Sequence, residues 1–214
     1  LGAWLIAAAS VVFTWVNIVV VRPQSASHTL LLLTSALAWL VGNLLSMTRI
    51  ESGAIKLNRE PGDMQDVVGT ALEQLGKRVA EHEIKVNVPD DFPLIPMDFT
   101  LIVQVVVNLL DNAFKYSPKG SRIEVTASLS DENARLEIAD RGVGIPSEDL
   151  ARVFDKFYRV QRPESVSGTG LGLSISKGIV EAHHGTIHAN ARDGGGTVFQ
   201  VELPLKGIQE KNDE

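Results

Sequence analysis

The sequence predicts an α/β domain behind an apolar helical segment, and three observations predict it. Residues 98–116 carry Leu101, Ile102, Val105, Val106, Leu109, Leu110 and Ala113 at helical spacing. Short runs at 84–88, 122–129, 133–139, 186–190 and 197–203 read as strands, and glycine-rich loops interrupt them. Residues 1–21 and 29–47 contain no charged side chain.

From the N-terminus, residues 1–22 are expected to form a transmembrane helix, since the uncharged run matches the ~30 Å hydrocarbon core at helical rise. No basic stretch precedes it, which makes a signal peptide the weaker reading. Arg22-Pro23 ends the run. Residues 23–54 read as a further apolar helix with two alternatives. It is a second span, with Arg49, Lys56 and Arg59 on the cytoplasmic side, or an incomplete dimerisation hairpin with a seam of Leu30, Leu33, Leu37, Leu40, Leu44 and Met47.

From residue 55 the chain reads as a domain. Residues 57–60 suggest a short strand, and Asp63 caps a helix to about Glu81 with Asp66 favouring its dipole. Strand 84–88 and a proline-rich link at 89–96 lead to Asp98, which caps the long helix that Ser117-Pro118 ends. Strands 122–129 and 133–139 form a hairpin through 130–132, and Ser147 caps a short helix to Phe154. The polar stretch 161–167 fits a mobile lid. A helix from the glycines at 168–172 runs to His183, where His183-His184-Gly185 ends it by cation and glycine preference. Residues 206–214 read as a disordered tail.

Composition narrows the function classes. At 214 residues the chain holds one full domain and an appendage. Its 20 Lys+Arg against 26 Asp+Glu give a net charge of −6, which argues against a nucleic-acid partner. Cysteine is absent, excluding a disulfide framework or thiolate metal site, and His82, His183, His184 and His188 have no metal-ligand spacing with acids or cysteines.

The chemistry concentrates in residues 108–172. Asn108, Asn112 and Lys115 project from one helix face. An amide oxygen can complete a Mg²⁺ shell that otherwise holds water and phosphate oxygens, and a Lys can meet phosphate as a point charge. Asp140 ends a strand, where its carboxylate can accept from the exocyclic amine of adenine, and Gly142 and Gly144 let the backbone come close to a planar base. Gly168, Gly170 and Gly172 open a helix whose N-terminal N–H groups can cradle phosphate. Arg159 can reach a terminal phosphate. Alone, each has a plainer reading: a solvated helix face, an Asp-Gly turn, a glycine loop, core aromatics.

Together, NLLDNAFKYSPKG, ADRGVGIP, FDKFYRV and SGTGLGLS resemble the N, G1, F and G2 boxes of the histidine-kinase branch of the GHKL ATPases, and GGGTVFQVELP resembles the terminal G3 segment. The resemblance covers residues 44–205, and GNLLSMTRIESG and FDKFYRV look most like the KdpD group of sensor kinases. It implies a two-layer α/β sandwich, the Bergerat fold, over residues 55–205, with ATP and Mg²⁺ as ligands. By position, Asn112 would bind Mg²⁺ with Asn108, Lys115 would contact phosphate, and Tyr116 would border the nucleotide. Asp140 would read adenine, with Gly142 and Gly144 shaping its pocket. Arg159 would approach the γ-phosphate, and Gly168, Gly170, Leu171 and Gly172 would form the lid hinge and phosphate contacts.

The implied activity is a sensor protein histidine kinase of a two-component system. It would act as a homodimer at the cell inner membrane, with a cytoplasmic catalytic domain and a response regulator as partner. His28 departs from that pattern. SASHTLLLL begins like the family's acceptor segment but lacks the acidic residue, Arg and Pro that should follow, and lies too close to GNLLSMTRIESG. An ATP-binding module without its own acceptor, acting by nucleotide-gated association or in trans, is therefore the alternative. Other GHKL classes, such as an anti-sigma kinase or a gyrase- or MutL-like ATPase, do not normally carry FDKFYRV.

Overall fold

The computed structural model describes residues 57–160 and 169–206. The expected spans and apolar helix at 1–54, His28, the lid stretch 161–167, Gly168 and tail residues 207–214 lie outside the described residues.

Asp63 accepts a 2.7 Å hydrogen bond from the Gln65 N–H, starting helix α1 (Met64–Leu75) with Asp66 in its first turn. The helix stops six residues before Glu81. Gly76 takes φ +54, and its N–H closes back on Glu73 and Leu72, so the chain continues as a 3₁₀ turn, Gly76–Glu81. Asp98 caps α2 (Phe99–Tyr116) by accepting from Leu101 N–H at 3.2 Å. The last helix, α3 (Gly172–Ala182), has no side-chain cap at its N-terminus.

Strands β1 (Glu60–Gly62) and β3 (Ile95–Met97) pair antiparallel as a small separate sheet. The expected strand at 57–60 thus lies further along, and part of the proline-rich link is a strand. Gly62 permits this, since a Cβ there would meet Met97 Cγ at 2.9 Å. The main sheet has the order β2-β4-β5-β7-β6, from Glu83–Asn87, Arg122–Ser130, Asn133–Ala139, Thr197–Pro204 and Thr186–Ala191. Only β2 and β4 run parallel; the other neighbours are antiparallel.

Period-two alternation puts Ile123, Val125 and Ala127, Ala134, Leu136 and Ile138, and Phe199, Val201 and Leu203 in the core. Helix α2 packs between α1 and α3 and reaches β5, while α3 covers β6 and β7. The hairpin reads as expected, with Ser130 opposite Asn133.

Three other expectations differ in detail. Residues 147–154 form turns rather than a helix, because Ser147 Oγ donates to Glu148 instead of capping a backbone N–H. At the end of α3, His184 takes the left-handed φ of +60, and Gly185 serves packing, since a Cβ there would lie 2.2 Å from Glu202 O. Lys206, expected to begin the tail, pairs with Glu132 at 2.7 Å.

His183 ties α3 to the start of α2. Its Nδ1–H donates to Ile179 O at 2.8 Å, and Nε2 accepts from Asp98 N–H at 2.9 Å. Burial holds its pKa below the usual value of 6.5, partly offset by the bond to Ile179.

Candidate functional site

The last two turns of α2 carry the expected polar face. Asn108 Nδ2 donates to Gly172 O and to Ser176 Oγ, both at 3.3 Å, which fixes the first turn of α3 beside α2. Asn112 Nδ2 donates to Asn108 O at 2.9 Å. Only the NH₂ half of the amide can face that carbonyl, so Oδ1 is turned away from the helix backbone. Lys115 pairs with Asp111 Oδ2 at 2.5 Å, and Arg78 pairs with Asp111 Oδ1.

Where α2 ends, the 140–144 loop folds over it. Val143 N–H donates to Tyr116 O at 3.3 Å, and a Cβ at Gly142 would lie 2.3 Å from that oxygen. A side chain at 142 is therefore excluded by backbone. Gly144 takes φ +69 against Gly196. Asp140 is buried, and its Oδ1 accepts from Gly142 N–H at 2.7 Å and Thr197 N–H at 3.2 Å.

Two residues behind Asp140 escaped the sequence reading. Thr197 O accepts from the Asp140 N–H at 2.9 Å while the Thr197 N–H donates to the Asp140 carboxylate, and Arg192 donates to Asp140 O at 3.0 Å while pairing with Glu124. Their only local signal is the Gly194–Gly196 run, where Gly196 takes φ +105 and a Cβ would lie 2.1 Å from Asp140 O.

The glycine loop before α3 meets the aromatic segment. Gly170 takes φ +71, and Phe157 N–H donates to Gly170 O at 3.1 Å. Leu171 is buried at the N-cap position, and a Cβ at Gly172 would lie in ordinary contact with Asn108. The segment is anchored by Tyr158, whose hydroxyl donates to Asp149 and whose ring lies 4.4 Å below the Arg152 guanidinium. That hydrogen bond, with burial, holds the phenol above its usual pKa of 10.0. Arg159 is exposed, two residues past Phe157.

The α2 face thus meets the 140–144 loop at Tyr116 and the opening of α3 at Asn108, and Arg159 follows Phe157 by two residues. Among the described residues no group of three His, Cys, Asp or Glu side chains could hold a metal by itself. The donor set fits a Mg²⁺ that keeps most of its shell in water and phosphate oxygens and takes one amide oxygen.

Residues 97–207 match the family of histidine kinase-, DNA gyrase B- and HSP90-like ATPases. The chain belongs to that family. It is 42% identical over 173 residues to Sensor protein KdpD of Clostridium acetobutylicum, covering 80% of this chain and 19% of that protein. The mycobacterial sensor histidine kinase MprB matches with a TM-score of 0.62 and 35% identity, over 70% of this chain and 99% of the solved chain. Full-length ShkA in complex with AMPPNP matches with a TM-score of 0.72 and 28% identity, over 87% of this chain and 41% of that one. The α/β sandwich is therefore that of this ATPase family, and ATP is the nucleotide the family implies.

Proposed function

We propose that the chain carries the ATP-binding catalytic part of a two-component sensor histidine kinase. The observation that carries this reading is the pair of Asn108 hydrogen bonds to Gly172 O and Ser176 Oγ, because they hold an uncapped helix N-terminus against Asn108, one helical turn before Asn112. A phosphate site and a metal-ligating oxygen are then neighbours, as a triphosphate requires. The complex of the related ShkA with AMPPNP, an analogue of ATP, supports the same ligand here.

In this reading Asp140 accepts from the adenine amine, and Gly142 and Gly144 keep the base pocket clear. Asn112, with Asn108 behind it, would hold Mg²⁺, which when bound neutralises charge on the phosphate oxygens. Lys115 and Arg159 balance the remaining charge, and N–H groups from Gly170 to Gly172 orient the phosphates. Gly168, by the sequence resemblance, would belong to the same set of phosphate contacts. Catalysis is positioning and electrostatics, with little covalent work for these residues.

The step itself forms a bond from an imidazole nitrogen to the γ-phosphorus and breaks its bond to the bridging oxygen, releasing ADP. The phosphoryl group then passes to an aspartate oxygen of a response regulator. The domain would lie in a homodimer on the cytoplasmic side of the inner membrane, with residues 1–22 as the membrane span and residues 23–54 as a second span or an incomplete dimerisation hairpin.

The test is incubation of the whole chain with Mg²⁺ and ATP radiolabelled at the γ-phosphate. Acid-labile, alkali-stable label that disappears in Asn112→Ala and transfers to a receiver domain supports the proposal. ATP binding without any phosphohistidine, even with a separately supplied acceptor hairpin, would refute the kinase assignment.

A further inference from the structure

Asp111 stands on α2 immediately before Asn112, and two cations share its carboxylate. Arg78, on the 3₁₀ turn, takes Oδ1, and Lys115, one helical turn on, takes Oδ2 at 2.5 Å. The Arg78 guanidinium also lies 5.7 Å over the Phe114 ring, against which His82 stacks at 5.1 Å. Its place is thus held by packing as well as charge, whereas Lys115 carries its ammonium on a flexible stem. Paired with Asp111 alone, Lys115 would form a neutral couple. With Arg78 the cluster keeps one net positive charge, directly beside Asn112.

We infer that Arg78 is a positioning residue for nucleotide binding: by holding Asp111 it releases Lys115 to meet phosphate. The inference rests on the reading of this helix face as a triphosphate site. Without Arg78, incoming phosphates face a carboxylate whose only balance among these three groups is Lys115, and the ammonium must divide between the two anions. The side chains of Arg78, Asp111 and Lys115 are 43%, 25% and 33% exposed, so solvent screens the effect and makes it dependent on salt.

The experiment titrates the full chain with Mg-ATP, Mg-ADP and adenosine, in wild type, Arg78→Gln, Asp111→Asn and the double variant. Arg78→Gln is expected to weaken ATP about three- to tenfold, ADP less and adenosine not at all, and the ATP loss shrinks at high salt. In the Asp111→Asn background the same substitution has no further effect. Equal losses for all three ligands would mean that Arg78 only supports the fold, and would overturn the inference. Unchanged ATP affinity, or the same loss in the Asp111→Asn background, would overturn it as well.

Arg78→Lys keeps the charge and is the second variant, expected within about twofold of wild type. A loss there as large as in Arg78→Gln assigns the effect to stacking on Phe114 and refutes the charge argument. Folded wild type that binds adenosine but not ATP removes the triphosphate reading itself, and this inference with it.

Discussion

Gly142→Ala separates the proposed base pocket from general stability. The added methyl would lie 2.3 Å from Tyr116 O, 2.8 Å from Tyr116 C and 2.9 Å from Asp140 Oδ1, where ordinary contact begins at 3.4 Å. No rotamer change relieves this, because two of the atoms are backbone and the carboxylate is held by the Gly142 and Thr197 N–H groups. The loop must move off α2 by about 1 Å, and a shift of that size at a binding site costs up to roughly a hundredfold.

Overpacking of this kind costs about 1–3 kcal/mol, with about 2–4 °C of Tm for each kcal/mol. Calorimetric titration with ATP and thermal melts of the same samples read both quantities. The expected result is an ATP affinity at least about tenfold weaker with a modest fall in Tm. Wild-type ATP affinity in a folded Gly142→Ala protein would refute the placement of the base against this loop.

Three further outcomes follow from the same geometry. Gly185→Ala puts a Cβ 2.2 Å from Glu202 O, far from the α2 face in sequence and pairing; it lowers Tm by a similar amount and leaves ATP affinity unchanged, which paired melts and titrations check. Asp140→Asn keeps an oxygen to accept from Gly142 and Thr197 but replaces the carboxylate proposed to read the adenine amine, so ATP is expected to weaken about tenfold or more and its preference over inosine triphosphate to narrow in competition titrations. His183 is neutral in the fold with a lowered pKa, so the unfolded chain binds the extra proton first. Its contribution to stability is full above pH 6.5 and is lost as pH falls below that value. His183→Phe should flatten that part of a melt-versus-pH curve, at a cost of about 1–3 kcal/mol for the orphaned Asp98 N–H.

What was legible in the sequence is what short-range physics decides. Asp63 and Asp98 cap their helices because an acidic side chain before an apolar periodic run has a backbone N–H within reach. The 122–139 hairpin follows from alternation, and the α2 polar face from 3.6-residue spacing. Gly76 also carried a readable stop, which the strong α1 pattern masked. Ile95–Met97 became a strand only because Glu60–Gly62 supplies a partner 35 residues away in register. Arg192 and Thr197 stand 52 and 57 positions from Asp140, and a distance of that kind leaves no periodic trace. The bridging role of His183 was hidden likewise, since its partner Asp98 lies 85 positions back and the His-His-Gly run looked like an ordinary helix end.

The most direct test of the whole account is a titration of the folded wild-type chain and of Asn112→Ala with ATP, each with and without Mg²⁺. The expected result is single-site ATP binding that Mg²⁺ strengthens in wild type and does not strengthen in Asn112→Ala. A wild-type chain that binds no ATP, or a Mg²⁺ enhancement that survives the loss of the Asn112 amide, would contradict it.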